Sequence, residues 1–188
     1  MNTTPESFAL QQVLTACAEK RHQLPLLVCI DGPAGSGKTS LANALATSLE
    51  PCVVVQMDDL YAGWNEGFST PLFERVHRTV IEPFINGHSL SLPRWDWSQN
   101  QWSAATELQP KSRLILEGVG ACAAPVRELA GLSVFLDAEP RTALARAIER
   151  DGESLRPQLE HWERLQAQHF SEDNTKAGCD IVVPIELH

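Results

Sequence analysis

Residues 32–39 read Gly32-Pro33-Ala34-Gly35-Ser36-Gly37-Lys38-Thr39, the full G-x-x-x-x-G-K-[ST] spacing, with Ser40 directly behind it. Each residue type in that spacing has a physical task. Glycines let the backbone adopt dihedrals closed to other residues and bring N–H groups close around phosphate oxygens. A helix beginning at the lysine adds the partial positive charge of its N-terminus. The Lys38 ammonium is a mobile point charge for β- and γ-phosphates, and the Thr39 hydroxyl can ligand Mg²⁺. An apolar run before the loop and an amphipathic pattern after it supply the strand–loop–helix context. Gly32 to Ser40 are therefore assigned to a nucleoside triphosphate. The loop defines a binding site, not a reaction.

Phosphoryl chemistry needs acids at the ends of neighbouring strands. Val53-Val54-Val55-Gln56-Met57 runs into Asp58-Asp59-Leu60-Tyr61, and Leu114-Ile115-Leu116 runs into Glu117. Asp58 is placed to accept a hydrogen bond from an attacking hydroxyl and take its proton late, since an ordinary Asp is too weak a base to ionise an alcohol beforehand. Glu117, Thr39 and Asp58 form the expected magnesium set, with Asp59 the less secure member of the adjacent acid pair. Arg141, Arg146, Arg150 and Arg156 follow the fourth apolar run, and Arg146 and Arg150 share a helical face. Such a fork can offset charge on a transferring phosphoryl group and form part of a lid, while Glu149, Asp151 and Glu153 leave open an ion-paired, solvated helix. Three of the five tryptophans, Trp95, Trp97 and Trp102, lie within eight residues beside Pro93, Arg94 and Asp96. They either pack a lid onto a sheet or stack against a planar ring or sugar.

The elements that must position these residues follow from the apolar pattern. Short buried runs at 26–30, 52–55, 114–116, 134–136 and 181–183 alternate with helical patterns near 38–49, 71–86, 123–130, 140–150 and 155–170. That alternation predicts an α/β fold with a parallel sheet covered on both faces. An N-terminal helix to about Lys20 opens the chain, with Thr4 as its cap and Phe8, Leu10, Val13, Leu14 and Cys17 as its apolar face. No repeat or linker divides the 188 residues, so one domain is expected. About 55 residues separate the second and third runs, too long a connection to be featureless. Residues 58–112 are read as an acceptor-binding insertion and about 141–160 as a lid region.

Composition excludes several classes. The formal net charge of −9 argues against a broad grip on nucleic acid. No apolar run of membrane-spanning length and no signal-like N-terminus occur, so no membrane role and a cytoplasmic location are expected. Cys17, Cys29, Cys52, Cys122 and Cys179 are widely spaced with no CxxC, which reads as buried thiols in a reducing compartment. His161 and His169 have no metal-ligand spacing and are assigned packing or surface roles. Eleven of the fifteen basic residues are Arg, which makes their placement matter more than their sum.

Taken in order, DGPAGSGKTSLA (31–42), DDLY (58–61), PRWDW (93–97), LILEGV (114–119), RAIERDG (146–152) and TKAGCDIVVP (175–184) resemble the uridine kinase family, within the phosphoribulokinase/uridine kinase group of P-loop kinases. The resemblance implies a P-loop three-layer sandwich with a five-stranded parallel sheet, an Arg-bearing lid, and ATP with Mg²⁺ as donor and cofactor. The family's catalytic Asp falls on Asp58, its acid after the third core strand on Glu117, and its lid arginines on Arg146 and Arg150. Lys38 joins them in the catalytic set. PRWDW sits where the family lines its nucleoside site, so Tyr61, Arg94, Trp95, Asp96 and Trp97 join Asp58 on the acceptor side. Two departures fall there. Ser98-Gln99-Asn100 stands where the family carries a base-reading histidine, and Leu72 stands nearest to its ribose-binding Asp. The expectation is an ATP-dependent kinase acting on a hydroxyl of a small metabolite, with a nucleoside-like acceptor and a homo-oligomer both left open. A nucleotide-binding regulatory ATPase and a nucleoside-monophosphate kinase are the alternatives, the latter with Arg94 receiving an acceptor phosphate.

Overall fold

The computed structural model describes residues 5–20 and 22–186; Thr4, the expected helix cap, lies outside them. Helix α1 (Pro5–Glu19) precedes β1 (Leu26–Asp31), α2 (Lys38–Ser48) and β2 (Cys52–Gln56). Helix α3 (Thr70–Val76) continues through a π-turn at His77–Ile81 into α4 (Glu82–Ile85). Four short strands follow: β3 (Leu90–Leu92), β4 (Trp95–Asp96), β5 (Gln101–Trp102) and β6 (Thr106–Leu108). The chain then forms β7 (Arg113–Glu117), α5 (Ala124–Arg127), β8 (Leu132–Ala138), α6 (Pro140–Asp151), α7 (Arg156–Glu172), α8 (Thr175–Gly178) and β9 (Ile181–Ile185). Among the described residues, no helix is long and apolar enough to cross a membrane.

Five strands form one sheet in the order β2-β7-β1-β8-β9, parallel throughout. Strand β1 lies at its centre and is buried along its whole length. Its side chains alternate between two cores, as the two-residue period of a strand requires. Leu27 and Cys29 join the core that includes Leu72, Phe84 and Trp162, while Leu26, Val28 and Ile30 join Val13, Leu41 and Leu45 beneath α1 and α2. The register brings Ile30, Gln56 and Glu117 level across three adjacent strands. The segments after β1, β2 and β7 therefore emerge side by side at one edge. Ligands of open α/β sheets bind at that carboxyl edge.

Three expectations about local structure are revised. On α1, Val13 and Cys17 are buried as expected, together with Ala9, and Leu10 and Leu14 pack against the same core; of the expected face only Phe8 is exposed. The pattern at 123–130 yields only the four-residue α5, after which turns lead into β8. The segment after α4 is ordered as two antiparallel ladders, β3 with β6 and β4 with β5, which the apolar pattern did not reveal. The five cysteines are unpaired thiols: Cys17, Cys29 and Cys122 are buried, Cys52 and Cys179 half-buried.

Candidate active site

The loop between β1 and α2 is compressed against the rest of the molecule. Gly35 has a positive φ of 86°, and a Cβ there would collide with the carbonyl of Ala143 on α6. Gly37, at φ 93°, caps α2 in a left-handed conformation without a side-chain bond to the helix's first N–H groups. That leaves an anion-seeking helix N-terminus beside the loop. The Lys38 side chain is buried, and its ammonium donates to the carbonyls of Gly32 and Pro33, each at 2.8 Å. Burial lowers its pKa, opposed chiefly by Asp31, Asp58 and Glu117. The Ser36 hydroxyl is buried with no hydrogen-bond partner among the described residues.

The expected acids surround this lysine. Thr39 donates its hydroxyl hydrogen to Glu117 Oε1 at 2.9 Å, joining the start of α2 to the end of β7. Desolvation raises the Glu117 pKa, with the Thr39 bond and the Lys38 charge opposing the rise. Asp58 is open to solvent in the cleft yet surrounded by protein; desolvation raises its pKa, and Lys38 and Arg150 counteract it. Because water reaches this carboxylate, that rise is moderated by solvent screening. Among the described residues, no group of three or more His, Cys, Asp or Glu could hold a metal alone. Thr39, Glu117 and Asp58 supply hard oxygen donors of the kind Mg²⁺ takes. A magnesium shell of one or two side chains completed by substrate phosphates fits that donor set.

These groups line a cleft of about 670 Å³. The loop contributes Ala34, Gly35, Gly37, Lys38, Thr39 and Ser40, and Asp58, Glu117, Arg146 and Arg150 stand with them. Gly32, Pro33 and Ser36 shape the loop without facing the cleft. Arg146 is half-buried and has no ion-pair partner among the described residues. Arg150 is engaged by Asp151 through two bonds of 2.6 Å. Arg156 is exposed and paired with Glu153 and Glu160, away from the cleft lining. Arg141 also lies outside that lining.

Of the expected acceptor residues, Tyr61 and Trp97 reach the cleft. Tyr61 is fully buried and donates its hydroxyl hydrogen to the Val119 carbonyl at 2.8 Å. Arg94, Trp95 and Asp96 are placed outside the cleft lining: the β4–β5 hairpin accounts for Trp95 and Asp96, and Asp59 for Arg94. Trp95 packs edge-on against its cross-strand partner Trp102, with ring centroids 5.1 Å apart. Asp96 accepts from the Ser98 and Gln99 amides and from the Ser98 hydroxyl, closing the turn. Arg94 is within 3.4 Å of Asp59. Leu72 is fully buried in the core, so no acid takes that position.

Four functional-site residues escaped the sequence reading. Trp64 and Trp162 line the cleft beside Trp97. Asp31 is fully buried and accepts hydrogen bonds from the amides of Gly32, Gly120 and Cys122, at 2.7, 3.0 and 2.8 Å. It thereby ties the phosphate loop to the loop that follows Glu117. Gln166, also buried, accepts from the Ala34 amide at 3.1 Å across 132 residues of sequence. An acid inside a buried strand run is a legible signal for Asp31; only tertiary structure reveals the partners of Gln166.

The fold is that of the P-loop kinases. Over most of its length the chain resembles uridine kinases in sequence. No family model matches it. It is 24% identical over 188 residues to the uridine kinase of Ligilactobacillus salivarius, covering 87% of each chain. It is 27% identical over 188 residues to uridine kinase-like protein 3 of Arabidopsis thaliana, matching 88% of this chain but spanning only 40% of that relative. The solved structure of a possible uridine kinase from Bacillus stearothermophilus superposes with a TM-score of 0.66 at 20% identity, covering 95% of this chain and 96% of the other. A candidate fructose transport system kinase from Silicibacter sp. TM1040 superposes at 0.72 with 18% identity, covering 96% and 99%. These sequence relatives carry kinase names, and the solved structures share the fold of this chain.

Proposed function

We propose that the chain transfers the γ-phosphoryl group of ATP to a hydroxyl of a small, uncharged acceptor. The observation that carries this reading is the convergence of Lys38, Asp58, Glu117, Arg146 and Arg150 on one cleft that also has an aromatic wall. Loop amides and Lys38 hold the donor phosphates. Thr39 and Glu117, with Asp58 nearby, would hold Mg²⁺, which would supply positive charge to offset that of the donor phosphates. Asp58 orients the acceptor hydroxyl and receives its proton as the O–P bond forms. Arg146 and Arg150, acting as a lid, offset charge on the transferring group, so that catalysis is chiefly positioning and electrostatic compensation.

A monophosphate acceptor is the less favoured reading. Arg94, which would have received that phosphate, is drawn to Asp59 outside the cleft lining. The cations that do line the cleft, Lys38, Arg146 and Arg150, are assigned to the donor. ADP release measured with and without a panel of hydroxyl compounds tests the proposal, because a kinase needs its acceptor and a regulatory ATPase does not. Lys38→Ala should lower acceptor-dependent release by about two orders of magnitude or more, the scale for loss of a key charge-stabilising group. Its circular dichroism spectrum should be unchanged. Substantial transfer by this variant would remove the central assignment.

A further inference from the structure

Resting on that kinase reading, we propose that the acceptor carries a planar aromatic ring, held by packing against Trp64, Trp97 and Trp162 rather than read through hydrogen bonds at its edge. Trp97 fixes where such a ring begins. Its indole N–H donates to the Asp58 carbonyl at 3.1 Å, so the aromatic wall starts beside the residue assigned to the reacting hydroxyl. Trp64 lies 5.0 Å from Trp97 and 6.2 Å from Trp162, centroid to centroid, which makes the three rings one continuous surface. Leu155 and Leu159 extend it without adding a polar group.

The polar inventory of this end decides how the ring is recognised. Tyr61 is committed to Val119 and the Trp97 indole to Asp58. The indole N–H groups of Trp64 and Trp162 are donors only. The remaining polar side chains of the lining, such as Lys38, Asp58, Glu117 and Arg150, belong to the phosphoryl end. The Tyr61 hydroxyl keeps an acceptor lone pair but is fully buried, and among the other described lining residues no side-chain acceptor stands at the ring end to match an N–H on a base edge. A site built to hydrogen-bond a substrate discriminates strongly through those bonds, whereas aromatic stacking tolerates any flat face.

The wall is also pre-organised. Trp97 begins the turn of the β4–β5 hairpin, directly after β4; the hairpin is locked by the Trp95–Trp102 pair, and the Arg75 guanidinium stacks over Trp102 at 4.8 Å. Arg75 in turn binds the Leu60 carbonyl at 2.6 Å and both carboxylate oxygens of Glu66. The segment after β2 and the hairpin are thus fastened to the same helix. Trp97 remains 39% exposed, so one of its surfaces is available to a ligand.

Three probes test the idea: uridine, the ring-only analogue 1-deoxy-1-phenyl-β-D-ribofuranose, and D-ribose. Binding is read by quenching of tryptophan fluorescence without nucleotide, and turnover by ADP release with ATP and Mg²⁺. The phenyl riboside should bind at least as tightly as uridine, and ribose at least about tenfold more weakly, the lower range for losing one stacked ring. Trp162→Leu should weaken the phenyl riboside by about tenfold while KM for ATP stays within about twofold. Trp64→Leu provides the same comparison if the Trp162 variant does not fold. Uridine preferred over the phenyl compound by more than about tenfold, ribose binding as well as either, or no quenching by either ringed compound overturns the proposal. Quenching in the expected order without ADP release would leave the ring site standing and remove the kinase reading. ADP release with ribose alone would do the reverse.

Discussion

Asp31 shows how one carboxylate can organise two loops at the floor of the cleft. Its oxygens collect three amide hydrogens from both sides of the cleft floor, with no water-exposed surface. Burial nevertheless outweighs those bonds and pushes its pKa up to about 6, with the Lys38 charge also opposing the rise. Besides Lys38, the groups facing it are Cys29, Tyr61 and Cys122, whose own ionisation its charge disfavours. A folded pKa above the unfolded value means that the native state binds the proton more tightly. The stabilising contribution is full below about pH 4 and is lost as pH rises through about 6, on the order of 3 kcal/mol for a shift of this size. Asp31→Asn should lack that slope. Between pH 4 and pH 7 its urea unfolding free energy should therefore improve relative to wild type by up to about 3 kcal/mol. Parallel pH profiles for the two proteins would show that Asp31 does not titrate in this window. Above pH 6 the variant should still bind ATP less well, because an amide cannot accept at both of its ends.

At the scale of elements, α7 spans both halves of the site. Gln166 grips the phosphate loop at Ala34, and one turn earlier Trp162 lines the aromatic side of the cleft and packs edge-on against Tyr61, centroids 4.7 Å apart. Gln166→Leu leaves the Ala34 amide without its partner, which costs about 1–3 kcal/mol when the group stays buried. The expected result is a raised KM for ATP with acceptor KM little changed, and rescue by Gln166→Glu, which retains an acceptor oxygen. Equal changes in both KM values, or no rescue, would mean that Gln166 serves only general packing. The helix itself was legible, since its apolar residues recur at helical spacing, as were the five core strands, each a short apolar run, with β1, β7 and β8 buried and the edge strands β2 and β9 only partly so. The phosphate loop and the two acids at strand ends were legible because chain order alone places them at the same sheet edge. The roles of Trp95 and Asp96 were not. Their residue types suit ligand binding, but a two-residue ladder claims Trp95 for Trp102 and the turn claims Asp96, and such short strands leave too little period to read. Trp162 and Gln166 acquire their partners only when a helix far along the chain folds back onto the segments that follow β1 and β2.

Across the whole molecule, the formal charge of −9 sets the terms on which a triphosphate can approach. The ionisable groups lining the cleft do not reverse that sign. Lys38, Arg146 and Arg150 are matched in number by Asp58, Glu117 and Asp151, and Arg150 is already held by Asp151. The attraction for phosphate must therefore come largely from oriented loop amides, the α2 N-terminus and a divalent cation carried with the nucleotide. Two consequences separate this arrangement from one built on a basic surface. Removing divalent cations with EDTA should weaken ATP binding by about tenfold or more, equivalent to about 1.4 kcal/mol, as followed by calorimetry. Raising salt from low to physiological ionic strength should speed association of metal-free ATP, because screening reduces repulsion from the acidic surface over distances of about 8–10 Å and beyond. Salt that slowed association, as it does for proteins that attract phosphate through a net positive field, would place the dominant cation in the protein rather than with the nucleotide.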